Sequence, residues 1–172
     1  MKKRMVSLLL AVLMTVTALA IPAGASTIQG FSDVTDQRVA LAAESLRLMG
    51  VLDGYGDGTF RPNAHLTRGQ FCKMAVYATG TENTLGLYST TTVFPDVKPS
   101  YWAAGYINLA SKGLKIIAGY ADGKFHPEEL VTAGQAVTIL LRLLGCKDEN
   151  IGGVWPDSYM ATASLIGLTD NL

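Results

Sequence analysis

Residues Gly54 to Gln70, GYGDGTFRPNAHLTRGQ, recur from Gly119 to Gln135 as GYADGKFHPEELVTAGQ, every matched position shifted by 65 residues without a gap. Internal repeats of this size are supersecondary units that bury their apolar faces against their neighbours. Each copy is flanked on both sides by apolar residues at helical spacing, so the unit reads as helix, Gly-rich turn, extended bend, helix. Asp57-Gly58 and Asp122-Gly123 are turn dipeptides, and Pro62 and Pro127 fix a bend that no helix crosses. Thr67-x-x-Gln70 and Thr132-x-x-Gln135 are capping boxes that open the second helix of each unit. The fold class expected is all-α, built of helix–turn–helix repeats.

The first unit opens with FSDV at Phe31 to Val34, followed by a helix with Val39, Ala42, Ala43, Leu46 and Met49 as its apolar stripe. Phe71, Met74, Ala75 and Ala78 form the stripe of its second helix, and the unit ends at Gly80. The Thr-rich stretch 81–93 has no period and reads as a linker. The second unit opens with FPDV at Phe94 to Val97. Trp102, Tyr106, Leu109, Ala110 and Gly113 line one helical face, which on this pattern makes Trp102 first of all a core residue. Gly113 to Gly119 is two residues longer than Gly50 to Gly54, which predicts a longer or bulged helix there. Ala136, Ile139, Leu140 and Leu143 continue into the helix expected to be most buried, ending at Gly145. From 155 to 172 the chain begins a third unit, its Trp155-Pro156-Asp157 matched to Phe94-Pro95-Asp96, and no third capping box follows.

Ahead of the repeats, Lys2, Lys3 and Arg4 precede an apolar run from Met5 to Ala20 and a small-x-small Ala23-Gly24-Ala25, the pattern of a secretory signal peptide over residues 1–25. The chain has 14 basic and 14 acidic residues; without those three it has 11 and 14, a net charge of −3. A mildly acidic chain with no basic run offers nucleic acid no electrostatic footprint, and once the signal is removed no membrane association is expected. Cys72 and Cys146 occupy different repeat positions, so free thiols are favoured over a bridge. Counted as a calcium loop from Asp53, the turn puts Tyr55 at position 3 and Ala64 at position 12, which makes it a turn and not a metal site. His65 and His126 have no HExxH or cysteine partner, and no nucleophile elbow, Walker loop or dinucleotide fingerprint is present. A non-catalytic chain without metal or cofactor is expected.

The order FPDV, YWAAGYI, GYADGKFHP and T-x-x-Q resembles the S-layer homology module, a repeat of exported bacterial surface proteins. The resemblance covers residues 31–80 and 94–145, with a partial third copy from 155. It implies a pseudo-threefold helical bundle, first helices at its centre, with grooves between repeats. Those grooves hold secondary cell-wall polysaccharide, often pyruvylated, and so anchor the protein at the cell wall and surface. Carried over residue by residue, the implied ligand contacts are Arg68, Trp102, Asp33, Asp96, Thr67 and Gln70. Arg68 at a helix N-terminus is mildly unfavourable to the dipole, by about 0.3–1 kcal/mol, which points to an anionic partner such as a ketal carboxylate. The second copy has Ala133 where the first has Arg68, and Val39 stands where the second has Trp102, so one competent groove shared by Arg68 and Trp102 is expected. Asp33, Asp96 and Asp157 read first as capping or loop-tying residues. The rival reading is a scaffold with decayed grooves that associates with itself or with other surface proteins; a cell-wall hydrolase is a distant third.

Overall fold

A computed structural model describes residues 30–170; the stretch read as a signal peptide lies outside them. The architecture is all-α, as the repeat pattern requires. Helix α1 (Gln37–Leu48) and α2 (Arg68–Ala78) form the first unit, α3 (Ala104–Asn108) and α4 (Ala133–Leu143) the second, and α5 (Asp157–Leu165) stands alone in the third. The extended backbone pairs at a single isolated antiparallel bridge among the described residues, Thr67 with Leu130.

The local rules hold at the helix starts. Both capping boxes are formed: the Thr67 and Thr132 hydroxyls accept from the N–H of Gln70 and Gln135, whose side-chain oxygens accept from the threonine N–H in return. Such a cap contributes about 1 kcal/mol. Helix α1 is capped by Asp36, which accepts from the N–H of Arg38 and Val39.

Asp33 and Asp96 do a different job. The Asp33 carboxylate accepts from the N–H of Phe60 and Arg61, and that of Asp96 from Phe125 and His126, so each pins the opening of its unit to its own turn. Asp157, matched to them in sequence, is instead the first residue of α5 and caps nothing with its side chain.

In the second unit, whose first helix carries two extra residues, α3 continues into a π-helical turn, Leu109–Gly113, a bulge of the kind the spacing predicts. Beyond it, Lys115 takes a positive φ of 56°, four residues before Gly119, as Gly50 (φ 72°) does four residues before Gly54.

The core is centred on the second unit. Ala103, Ala104, Ile107, Leu109, Ala110 and Phe125 pack with Cys72, Ala75 and Val76 of α2 and Ile139 of α4, while Val137 and Leu141 of α4 face Tyr159 and Ala163 of α5. Helix α4 is thus buried on two sides, and its inward residues are Val137, Thr138, Ile139 and Leu141. The buried face of α2 runs through Arg68, Gly69, Cys72, Ala75 and Val76, rotated from the stripe Phe71, Met74, Ala75 and Ala78. In α1 only Ala43 and Glu44 are buried, and Leu41, Leu48 and Met49 are exposed. A central position for α1 is therefore not observed.

Residues 81–93, read as a linker, hold a short 3-10 helix (Glu82–Leu87) and are tied to α3. The buried Asn108 amide donates to the carbonyls of Tyr88 and Thr91, and its oxygen accepts from the N–H of Val93. Cys72 and Cys146 are both free thiols. Burial of Cys72 in the apolar core pushes its thiol up to about 12, so it packs as a small hydrophobe.

Candidate functional site: two repeat-equivalent grooves

Among the described residues the repeat relates two cavities. Groove one is lined by Leu52, Asp53, Gly54, Tyr55, Gln70, Lys73 and Met74 of the first unit and closed by Trp102 of the second. Groove two is lined by Ile117, Ala118, Gly119, Tyr120, Gln135, Thr138 and Ile139, each 65 residues further on, and closed by Trp155. Trp155 thus stands where Trp102 does. The glycines agree: a Cβ on Gly69 would lie 3.6 Å from the Trp102 ring, and one on Gly134, 65 residues on, 3.9 Å from the Trp155 ring. Matching Trp155-Pro156-Asp157 to Phe94-Pro95-Asp96 therefore gave the wrong partner. The WPD string is a chance likeness, and the indole at Trp155 is the residue that sequence reasoning missed.

Arg68 and Trp102 do not share a groove. The Arg68 side chain leaves α2 toward the second unit and lines groove two, whereas Trp102 lines groove one. Arg68 is 4% exposed. Its Nε donates to the carbonyl of Phe125 (3.0 Å) and its Nη2 to that of Ala118 (2.9 Å), and the guanidinium lies 4.7 Å from the ring centres of both Tyr120 and Phe125. Burial lowers its pKa from the ordinary arginine value, yet not by enough to discharge a guanidinium. No carboxylate lies within ion-pairing distance of it among the described residues. A buried cation satisfied by carbonyls and ring faces alone leaves groove two with uncompensated positive charge. The other cation there, Arg142, is neutralised by Asp148 through bonds of 2.8 and 2.6 Å.

The helix N-terminus itself does not supply an anion site. The N–H of Arg68 donates to the Glu129 carbonyl, that of Gly69 to the Pro127 carbonyl and that of Gln70 to the Thr67 hydroxyl, so the first-turn donors of α2 are used in joining the units. Thr67 is therefore a cap and a bridge residue, and its hydroxyl is occupied. Gln70 caps through its oxygen while lining groove one. Asp33 and Asp96 are committed to backbone N–H groups and line neither groove. Trp102, far from being core, is 52% exposed as the wall of groove one.

The remaining polar groups of groove two are fixed. The Trp155 indole N–H donates to the Thr138 hydroxyl (3.0 Å), which donates to the Gly134 carbonyl, and the Gln135 amide donates to the Tyr120 hydroxyl. In groove one, Lys73 replaces Thr138 and approaches Asp53 at 3.9 Å, and Arg61 lies 3.9 Å over the Tyr55 ring while pairing with Asp57. No group of three or more His, Cys, Asp or Glu able to hold a metal occurs among the described residues.

Helical hairpins in tandem, joined through turn carbonyls and separated by indole-walled grooves, define a module of the helical-repeat class. The chain belongs to the S-layer homology family, whose domain model matches residues 49–72 and 93–137. It is 33% identical over 137 residues to the Surface layer protein of Brevibacillus choshinensis and to the Middle cell wall protein of Brevibacillus brevis, covering 80% of this chain and 12% and 13% of those proteins. It is 32% identical over 172 residues to the Cell surface protein of Thermoanaerobacter kivui, covering 99% of this chain and 22% of that one. The chain thus spans under a quarter of each of these relatives. Family and relatives place it at the bacterial cell surface, as a secreted, cell-wall-associated chain. No helix among the described residues is long and apolar enough to cross a membrane.

Proposed function

We propose that the chain holds the cell wall noncovalently by binding an acidic secondary cell-wall polysaccharide, a pyruvylated one being the best fit, with its carboxylate in groove two. One observation carries the reading: Arg68 is a buried guanidinium without a carboxylate partner among the described residues, on the wall of a cavity that the Trp155 indole also lines. Its Nη1 donors have no partner among the described residues, and a carboxylate there gains a charge-assisted bond. The cavity volume of about 190 Å³ suits a compact acidic substituent, since pockets that enclose whole drug-sized ligands run roughly 300–1,000 Å³. Trp155, 51% exposed, offers a face for the adjoining sugar ring. Neither groove has a nucleophile paired with a base, so the reading is anchoring without catalysis.

The test is sedimentation of the purified chain with cell walls before and after their polysaccharide is stripped. Binding is expected only to unstripped walls, weakened by rising salt and lost in Trp155→Ala. Equal binding to stripped walls would exclude the reading. A second reading, self-association, is favoured by the exposed Leu41 and Leu48 on α1 and Met49 at its C-cap. It requires concentration-dependent sedimentation of the free chain, abolished in Leu48→Glu.

A further inference from the structure

Arg68 and Arg142 both line groove two, and their surroundings differ. Arg68 has no carboxylate within ion-pairing distance among the described residues. Arg142, on α4, donates from Nε and Nη2 to the Asp148 carboxylate at 2.8 and 2.6 Å and from Nη1 to the Ile116 carbonyl at 3.3 Å, so every nitrogen of that guanidinium is engaged. The Arg142 side chain is 20% exposed and that of Asp148 53%. Asp148 is not part of the groove wall: it sits on a short 3-10 helix, Asp148–Asn150, that follows α4. The first unit has Tyr77 and Asn83 at the two equivalent positions, each 65 residues earlier and neither charged. The cation and its carboxylate are therefore absent together from the first unit and present together in the second.

An acid entering groove two must shed water to reach the buried Arg68. Attraction to a fixed cation grows in proportion to the charge of the ligand, whereas the cost of taking that charge out of water grows as its square. One unbalanced guanidinium therefore suits a monoanion, and a dianion needs two. From this we infer that Asp148 is a specificity-determining residue acting through Arg142: by balancing that cation it leaves groove two one net positive charge, which admits a carboxylate and turns away a phosphomonoester dianion. The inference rests on the reading of groove two as an acid site and adds the residue, outside the cavity, that fixes which acid enters. Released from Asp148, Arg142 would present Nε and Nη2 as a fork, the geometry from which phosphate oxygens accept. A side chain that is now wall would become a second anion contact.

The test titrates the full chain with two small acids, the dimethyl ketal of pyruvate, a monoanion, and methyl phosphate. It is run at pH 8, where a phosphomonoester with its second pKa of about 6 is doubly charged. The chain has two tryptophans, so the indole N–H signal of Trp155 in a ¹H–¹⁵N spectrum, assigned with Trp102→Phe, reports groove two. The ketal is expected to move that signal with an affinity about fivefold or more above that of methyl phosphate. Asp148→Asn keeps the shape of a half-exposed side chain and removes its charge. It should raise the affinity for methyl phosphate about tenfold and that for the ketal about threefold, the square root that proportionality to charge requires. Adding Arg142→Gln to Asp148→Asn should return the ratio of the two affinities to its starting value, which a merely structural role of Asp148 would not do. A ratio unmoved by Asp148→Asn, a gain for phosphate that persists in the double variant, or methyl phosphate preferred by the unaltered chain would overturn the inference while leaving groove two an acid site. A Trp155 signal that neither acid moves would remove the inference and the acid-site reading together.

Discussion

Arg68 and Gln70 stand two residues apart in the first turn of α2 and face different grooves. Arg68 reaches across to the carbonyls of Ala118 and Phe125 in the second unit, while Gln70 stays on the wall its own unit builds. The first turn of α2 is therefore the ridge between the two cavities, and it is also the seam that joins the two hairpins.

Arg68→Ala should destabilise the fold by about 2–4 kcal/mol, because it strands two carbonyls that now accept charge-assisted bonds and empties the space between two rings. Arg68→Lys should recover part of this and no more, since an ammonium cannot fork across both carbonyls. Urea denaturation of the three proteins measures it. A loss under 1 kcal/mol in the alanine variant would show that the guanidinium does not hold the units together.

Asn108→Ala should cost about 2–4 kcal/mol by leaving the Tyr88 and Thr91 carbonyls and the Val93 N–H without partners. The damage should be local as well as global. Hydrogen exchange across residues 81–93 is expected to accelerate well beyond that of α4, because this amide supplies the side-chain hydrogen bonds that hold the segment to α3, leaving only the packing of Leu85 and Tyr88.

Gly69→Ala and Gly134→Ala sit at equivalent positions and should differ. Alanine ordinarily favours a helix by about 1 kcal/mol. At Gly134 the new methyl would lie 2.8 Å from the Cβ of the rigid Pro156 ring, so α5 must shift and a net loss of about 1–3 kcal/mol is expected. At Gly69 the closest neighbours are the Tyr101 hydroxyl at 3.1 Å and the Pro127 carbonyl at 3.2 Å, and small adjustments should bring the net effect near zero. Thermal unfolding of the pair reads the difference directly.

Lys115→Gly should stabilise the protein by about 0.5–1 kcal/mol. Lys115 holds φ 56° at the position where the first unit uses Gly50. A left-handed conformation costs a residue with a Cβ roughly 1–2 kcal/mol, of which the greater unfolded-state freedom of glycine returns part. A rise in the urea midpoint with unchanged slope is the expected result.

Acid should loosen the turns in a defined window. Backbone N–H bonds from Phe60 and Arg61 hold Asp33 below the ordinary aspartate value of 3.8. For Asp96 burial pushes upward, and the N–H bonds from Phe125 and His126 outweigh it. The Thr59 hydroxyl and the Arg61 guanidinium bring Asp57 down to about 2. Groups depressed on folding stabilise fully above their unfolded value and lose that contribution as pH falls through the folded one. Stability should therefore be flat above pH 5 and fall between about pH 4 and pH 2. Asp33→Asn and Asp96→Asn should be less stable at neutral pH and show a shallower acid slope.

The amino-acid sequence by itself determined the unit and its punctuation. The 65-residue offset, the Asp-Gly turns, the prolines and the Thr-x-x-Gln caps are governed by neighbours within a few residues, so hairpins of helices followed from local rules alone. The extra residues of the second unit's first helix were likewise legible as either a longer helix or a bulge, and the structure takes the bulge. Tertiary structure decided everything that depends on one unit meeting the next. It sent Arg68 into the far groove, because the ring faces of Tyr120 and Phe125 and two free carbonyls wait there. It put Trp155 at the position of Trp102, because a groove wall is set by packing against Gly134 and not by the letters around the indole. It exposed α1, whose apolar residues look inward on a helical wheel that has no knowledge of where the second unit lies. Side-chain direction across a unit boundary is a property of the assembled surfaces, and the same short string can serve two of them differently.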